Sequence, residues 1–308
     1  MSSVPRASVL MLAYRQRDTV EAAARSILAQ ACEEPLELRL SDDASDDGTF
    51  ESMERVVATT PCRHEVRVLR NPRNLGIGAH LNYLAGLARG GLLVIAAGDD
   101  ISLPHRTSTL LAAWDASAQR VDLLASPLVD MAQDGSLHGM VEVDDLAQWK
   151  DANDWARRRP KVIGAAQAWT RRLHEHFGPF DPRVVFEDQI AAFRAICCGG
   201  AITLKEPLVH YRRGGTSMNG ASDREARQQR MRQQNVRHLA EAEQLLKDAR
   251  TIGAPAAVNE VLAEEEARQR YLAALLDAPG LAAQLRIMGS APGVPWEWRW
   301  RKFWSVAC

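Results

Sequence analysis

Asp99 and Asp100 stand at the end of the apolar run Leu92-Leu93-Val94-Ile95-Ala96-Ala97, separated from it only by Gly98, and Pro104 stops the segment from continuing as a strand. Two adjacent carboxylates at the end of a buried strand offer hard oxygen ligands, which bind a divalent cation and leave positions open for phosphate oxygens. In open α/β sheets the carboxyl edge of the strands is also where ligands collect. The chemistry expected here is a divalent ion held against the phosphates of a ligand. The competing reading is a solvated acidic turn, because Asp is common in turns.

Other polar runs punctuate the chain in the same way. Ser41-Asp42-Asp43-Ala44-Ser45-Asp46-Asp47-Gly48-Thr49 ends a second short apolar stretch and, as local structure, reads as an Asx turn with Asp47 or Thr49 capping the next helix. The loop Arg70-Asn71-Pro72-Arg73-Asn74-Leu75-Gly76-Ile77-Gly78 mixes turn formers with cations. It is neither a Walker loop nor a dinucleotide fingerprint, since it lacks a Gly-Lys-Ser/Thr ending and a third spaced glycine. Phe186-Glu187-Asp188 puts two carboxylates in the first turn of a helix, where they complement the helix dipole.

Positioning these runs requires alternating strands and helices. Residues 7–14 read as a buried strand, and 19–30 as a helix with Val20, Ala23, Ala24, Ile27 and Leu28 at helical spacing. Strands over 36–40, 66–69 and 92–97 and helices over 50–58 and 79–88 continue the alternation. It predicts an α/β fold, a Rossmann-like, mostly parallel sheet sandwiched by helices. Beyond Pro104 the pattern predicts a helix to about 117, a strand over 121–125 and an irregular insertion or lid over 130–160 that carries Trp149 and Trp155. Helices over 164–177 and 186–196 follow, then strands over 201–204 and 208–211 and an Arg212-Arg213-Gly214-Gly215 turn. The Glu/Arg/Gln/Ala-rich stretches 223–250 and 256–277 read as amphipathic helices, so residues 1–220 are expected to form one domain and 221–308 a helical appendage.

Composition narrows the function. With 308 residues, 46% hydrophobic and 25% charged, the chain can bury a large core. A net charge of -1 supplies no overall basic field, so nucleic acid is not the expected partner. Five cysteines without CxxC spacing argue against a disulfide framework and a zinc site and fit a reducing cytosol. No signal peptide is evident, and no apolar run reaches the roughly 18 residues that span a bilayer. The end of the chain holds Trp296, Trp298, Trp300 and Trp304 beside Arg299, Arg301 and Lys302. Such a mixture suits a membrane interface, or packs back on the helical appendage.

Four blocks resemble the family-2 glycosyltransferases of the GT-A fold: Ser8 to Tyr14, Ser41 to Thr49, Gly98 to Pro104, and Phe186-Glu187-Asp188-Gln189. The resemblance covers roughly the first 215 residues and leaves the helical appendage outside it. It implies transfer of a sugar, with inversion, from a UDP- or dTDP-sugar donor to a hydroxyl of a glycan or lipid-linked acceptor. The setting implied is surface polysaccharide or lipopolysaccharide synthesis, in the cytoplasm at the inner face of the plasma membrane. It places Ala13, Tyr14, Asp42 and Asp43 at the nucleotide, with Asp43 accepting a hydrogen bond from a pyrimidine N–H, and Arg73 and Asn74 along the same pocket. Asp99 would contact the nucleotide sugar and, with Asp100, hold Mn2+ or Mg2+; His210 is a further candidate metal ligand. Asp188 takes the position of the base and Glu187 that of an acceptor-orienting group.

Two departures stand out. Ala97 occupies the place of the family's first aspartate, and His210-Tyr211-Arg212-Arg213 lacks the histidine that follows a Tyr-Arg pair in many relatives. A degenerate nucleotide- or glycan-binding scaffold without turnover is one alternative. A sugar nucleotidyltransferase is another, disfavoured because Ala13-Tyr14-Arg15-Gln16 replaces the glycine-rich, basic loop such enzymes carry after the first strand.

Overall fold

The computed structural model describes residues 4–212 and 224–307, which divide into two compact units: the first is 1–182 with 187–216, the second 183–186 with 217–308. The Arg213-Gly214-Gly215 part of the expected turn lies outside the described residues.

Unit 1 begins β1 (Ala7–Ala13), α1 (Val20–Leu28), β2 (Glu37–Asp42), α2 (Thr49–Thr59), β3 (Glu65–Arg70), α3 (Ile77–Leu87) and β4 (Leu92–Ala97). It continues β5 (Ile101–Ser102), α4 (Arg106–Ala116), β6 (Leu123–Ala125), β7 (Leu128–Met131), β8 (Leu137–Val141) and α5 (Ala152–Arg157). Last come β9 (Ala168–Thr170), α6 (Arg171–Phe177), α7 (Glu187–Cys197), β10 (Ala201–Thr203) and β11 (Val209–Arg212). The main sheet has the order β10-β6-β9-β4-β1-β2-β3 and is parallel except for β9, which runs antiparallel to both neighbours. A second sheet, β5-β11-β7-β8, brings β11 antiparallel against the short strand just after Asp100. The expected α/β architecture is therefore present.

Strands β1, β2 and β4 are nearly solvent-free, as central parallel strands covered on both faces must be. The face of α1 that carries Val20, Ala23, Ala24, Ile27 and Leu28 is buried in the same core as Val9, Met11, Leu38, Leu40 and Val94.

The segment 164–177 differs from the single helix its spacing predicts: it is a 3-10 turn (Gly164–Ala166), then β9, then α6. Ala165, Trp169, Leu173 and Phe177 recur every fourth residue and so mimic a helical stripe. Tertiary pairing overrides the pattern, because β9 fills the place between β4 and β6, and Thr170 caps α6 by accepting from Leu173 N. The 130–160 segment also carries more order than expected. It supplies β8 and α5, and buries Trp149 and Trp155.

Far from the carboxyl edge, a buried polar clamp joins β1, β2 and the α3–β4 turn. Glu37, fully buried, accepts from Ser8 Oγ (2.5 Å), Arg39 Nη2 (2.5 Å), Arg89 Nε (2.8 Å) and Arg89 N (2.9 Å). Burial works against its charge, yet the hydrogen bonds from Ser8 and Arg89 hold its carboxyl below the ordinary value. Gly90 completes the clamp by donating to Ser8 Oγ; a Cβ there would lie 2.4 Å from Ser8 N, so only glycine fits.

Unit 2 is helical: α8 (Arg224–Thr251), α9 (Ala256–Asp277), α10 (Leu281–Gly289) and α11 (Trp296–Ala307). The α8–α9 hairpin turns at Gly253, whose φ of 63° is left-handed, before Pro255 starts the next helix. Tyr271 and Leu275 of α9 share a core with Met288, Val294 and Phe303.

Glu37→Ala removes the carboxylate that compensates the buried Arg39 guanidinium, and stability is expected to fall by about 3–5 kcal/mol. Urea unfolding of the two proteins measures it, and a loss under about 1 kcal/mol would show that the clamp is not a stabilising element.

Candidate active site

The loops after β1, β2 and β4 meet because their backbones are tied together at the carboxyl edge. Asp43 N donates to Ala13 O (2.9 Å), Gly98 N to Leu12 O (2.9 Å), and Arg15 N to Ser45 Oγ (2.8 Å). Thr19 Oγ1 donates to Gly98 O (3.1 Å), and the Gln16 side chain hydrogen-bonds Asp99. A Cβ at Gly98 would sit 2.5 Å from Gln16 Oε1 and 2.8 Å from Ala13 Cβ, so the glycine before the acids is a packing requirement.

The two acids of this turn are not equivalent. Asp99 is partly exposed; burial pushes its carboxyl upward, against the Gln16 hydrogen bond. Asp100 is 5% exposed: Oδ1 accepts from Arg212 N (2.8 Å), while Oδ2 is sealed from solvent with no partner. Burial first, and the neighbouring Asp99 charge second, push the Asp100 carboxyl up to about 7. Behind it the buried Arg106 guanidinium donates to Ser102 Oγ (2.9 Å), Ile95 O (2.7 Å) and Ala165 O (2.8 Å). Burial draws its pKa down to about 10, against the pull of the Asp100 charge. From β11, Arg212 Nε donates to Asp99 O (3.0 Å), and Nη1 to Ala132 O (3.0 Å) and Gln133 O (2.7 Å), which locks the turn to the second sheet.

Asp42 and Asp43 also divide. Asp42 is fully buried, and its oxygens serve Ser45 N (2.9 Å), Ser45 Oγ and Arg70 Nε (3.5 Å). It therefore builds the turn. Asp43, 3% exposed, accepts from Asn71 Nδ2 (2.7 Å) and Leu75 N (2.9 Å) at Oδ1 and from Gly76 N (2.9 Å) at Oδ2. It thus fixes the loop that carries Arg73 and Asn74, and a carboxylate's roughly four acceptor sites leave room for one further donor.

Arg73 is exposed, and Asn74 Oδ1 accepts from Gly76 N (3.0 Å). Tyr14 is 41% exposed, with the Arg15 guanidinium 5.5 Å from its ring centroid. Ala13 is 3% exposed and lies beneath Gly98, so it supports the turn.

Glu187 and Asp188 open α7 beside the 164–167 turn. Gln167 Nε2 donates to Asp188 O (3.2 Å), and Gln167 O accepts from Ile95 N of β4 (3.1 Å), which ties the start of α7 to the strand that precedes the Asp99 turn. Glu187 Oε1 would lie 2.5 Å from a Cβ at Gly164, and enclosure with the adjacent Asp188 charge raises its carboxyl well above the usual range. His210 pairs with Ile101 and Val129, and burial lowers its imidazole pKa.

Among the described residues, no group of three or more His, Cys, Asp and Glu side chains is arranged to hold a metal ion, so Asp99, Asp100 and His210 do not make a preassembled three-ligand cage. The donor chemistry still fits Mg2+ or Mn2+, because such ions bind through one or two carboxylates plus substrate phosphates and water. Gln16, Gln167, Arg106 and Arg212 were not marked by the sequence. Arg212 stands 112 positions from Asp100, and only the β5–β11 pairing reveals their contact.

A parallel sheet with acidic turns at its carboxyl edge and a small second sheet alongside defines a GT-A fold. Residues 8–133 match the family described as Glycosyl transferase family 2. The succinoglycan biosynthesis protein ExoO of Rhizobium meliloti is 26% identical over 230 residues, 70% of this chain and 64% of ExoO. The matched stretches span 37% and 31% of two other curated relatives, so the chain covers well under two thirds of their length. Staphylococcus aureus TarS 1-349 in complex with UDP-GlcNAc has a TM-score of 0.58 at 14% identity, covering 98% of this chain and 90% of that one. The mannosyltransferase PcManGT from Pyrobaculum calidifontis, in complex with GDP-Man and Mn2+, has a TM-score of 0.52 at 21% identity, covering 99% and 86%.

The raised Asp100 carboxyl has a stability consequence with a definite sign. Folding raises its pKa from the ordinary 3.8 to about 7, so its contribution is fully present below about pH 4 and is lost as pH rises through 7. In chelator, Asp100→Asn is therefore expected to gain stability relative to the native protein between about pH 4 and 7, by at most about 1.4 kcal/mol per pH unit, and to hold that gain at higher pH. Denaturant titrations at each pH measure the difference; a gap that shrinks as pH rises contradicts the assignment.

Proposed function

We propose that this chain is an inverting glycosyltransferase that moves a sugar from a UDP- or dTDP-sugar to a hydroxyl of a glycan or lipid-linked acceptor. The observation that carries this reading is the Asp99-Asp100 turn, with one acid partly exposed and the other sealed with an unpartnered oxygen. Asp99 would face the donor diphosphate, with Asp100 behind it as the second protein oxygen. When bound there, Mn2+ or Mg2+ stabilises the negative charge that gathers on the departing nucleoside diphosphate. The Mn2+ in the PcManGT complex supports this choice of ion.

At the nucleotide, the acceptor site left on Asp43 suits a pyrimidine N–H, and the open face of Tyr14 suits stacking on the base. Exposed Arg73 supplies a guanidinium for phosphate or ribose. The UDP-GlcNAc held by TarS supports a uridine donor, and the GDP-Man of PcManGT makes a purine donor the comparison to run. Asp188 takes the proton of the acceptor hydroxyl as the new bond forms on the face opposite the leaving group. Glu187, whose raised pKa keeps it a proton donor near neutrality, orients that hydroxyl from beside Asp188. The name of ExoO supports a role in polysaccharide synthesis, and we place the reaction in the cytoplasm, at the inner face of the plasma membrane.

A second reading is a binding scaffold without turnover, favoured by Ala97 in place of an aspartate and by the lack of a three-ligand cage among the described residues. Calorimetry with UDP, dTDP and GDP, with and without Mn2+, separates the two when paired with a transfer assay. Asp99→Ala is expected to abolish the metal-dependent part of nucleotide binding. Asp188→Asn is expected to lower transfer by at least about 100-fold while changing donor affinity by less than about threefold. Transfer retained in Asp188→Asn removes its role as base, and the absence of turnover for every donor selects the scaffold.

A further inference from the structure

The aromatic end of the chain separates into two faces on α11. Trp298, Phe303 and Val306 turn inward: Trp298 lies 5.8 Å from the Tyr271 ring, and Phe303 and Val306 are each 3% exposed. Trp296, Trp300 and Trp304 turn outward, 56%, 47% and 47% exposed. Spaced four residues apart, they advance only about 40° per step around a helix, so they form one continuous stripe. Their rings follow one another at 6.2 and 5.6 Å. On α10, Leu281 and Leu285 are likewise exposed, at 59% and 45%, one turn apart.

Charge decides what covers this face. Between Ala278 and Ala307 the chain carries the cations Arg286, Arg299, Arg301 and Lys302 against the single carboxylate Glu297, in a molecule whose net charge is -1. Arg299 is spent inward on Val294 O (2.8 Å), and Lys302 sits over Trp298 at 5.5 Å, whereas Arg286 and Arg301 are exposed. A second copy of the same face would bring like charges together. An anionic surface complements them, and tryptophan is the side chain best suited to the headgroup level of a bilayer, with an apolar body and one polar N–H. Among the described residues, no helix is long and apolar enough to cross a membrane.

We propose that α10 and α11 form an in-plane docking face for an anionic lipid bilayer, with Trp296, Trp300 and Trp304 as the inserting anchors and Arg286 and Arg301 as the headgroup contacts. Half-exposed tryptophans in a row are costly to leave in water, and a helix lying in the interface buries them without disturbing the inward face that holds unit 2 together. The two roles fall on different residues of one helix, so they can be tested apart.

The full chain is mixed with phosphatidylcholine vesicles containing phosphatidylglycerol, and with vesicles of phosphatidylcholine alone, then separated by flotation. The native protein is expected to float with the anionic vesicles, less so at high salt, with a blue shift of tryptophan emission. Trp296→Ala/Trp300→Ala/Trp304→Ala is expected to lower partitioning at least about tenfold while its circular dichroism and melting remain native. Arg286→Glu/Arg301→Glu, which touches no core residue, is expected to weaken anionic-vesicle binding and flatten its salt dependence. Native protein that stays unbound, or a triple variant that partitions as the native does, overturns the proposal. Self-association that the triple variant abolishes, without vesicle binding, overturns it in favour of a contact between copies. Vesicle partition is read without donor or acceptor, so neither result depends on the transfer reaction.

Discussion

Negative charge gathered at the end of a buried strand is the constraint on which unit 1 depends. Asp99 and Asp100 follow β4 after Gly98 alone, and water cannot screen the second of them. The protein meets this cost with one backbone donor, from Arg212, and with the field of Arg106, whose guanidinium is committed to Ser102, Ile95 and Ala165. Neither arginine closes a direct side-chain ion pair with Asp100. One carboxylate oxygen therefore keeps its acceptor capacity, at the expense of a raised pKa. The second sheet follows from the same requirement, since β11 must pair with β5 for Arg212 to reach the turn.

The remaining acids at this edge solve a different problem. Asp42, Asp43 and Asp47 accept from main-chain N–H groups of irregular loops, which have no ladder to satisfy them. Such charge-assisted bonds fix loops without burying apolar surface. Glu37 applies the same logic deeper in the sheet, where two arginines replace the missing water. Acids alike in sequence thus separate by how much of their acceptor capacity the fold has consumed.

Much of the architecture was legible because it rests on local rules. Apolar runs of strand length, helical spacing at Val20 to Leu28 and Gly-Asp or Asp-rich stops give the β-α alternation of residues 7–97. The segment 164–177 was misleading because its apolar residues fit two periods, and only the gap between β4 and β6 selects a strand. The candidate site was legible as acidic blocks and illegible as a wiring diagram. Arg212, Gln16 and Gln167 act through partners distant in sequence, and no spacing rule connects them. Nor could the pattern distinguish Asp42 from Asp43, since register alone puts the first under the turn and the second against the 71–76 loop. The tryptophan tail carried two readings in sequence, and the helix phase turns Trp298 inward and leaves Trp296, Trp300 and Trp304 exposed.

On the proposed reading, Asp43 joins placement and recognition in one residue. Its carboxylate holds Asn71, Leu75 and Gly76, and through them sets where Arg73 and Asn74 stand. A neutral replacement would release that loop and, on the proposed reading, remove a base contact in the same step. Lost nucleotide affinity in such a variant would measure the sum. Asn71 is the position that divides it: it touches Asp43 from the loop side, is itself buried, and has a side-chain amide that belongs to the loop rather than to the open edge. The difference between disturbing Asn71 and disturbing Asp43 isolates what the carboxylate does beyond holding the chain.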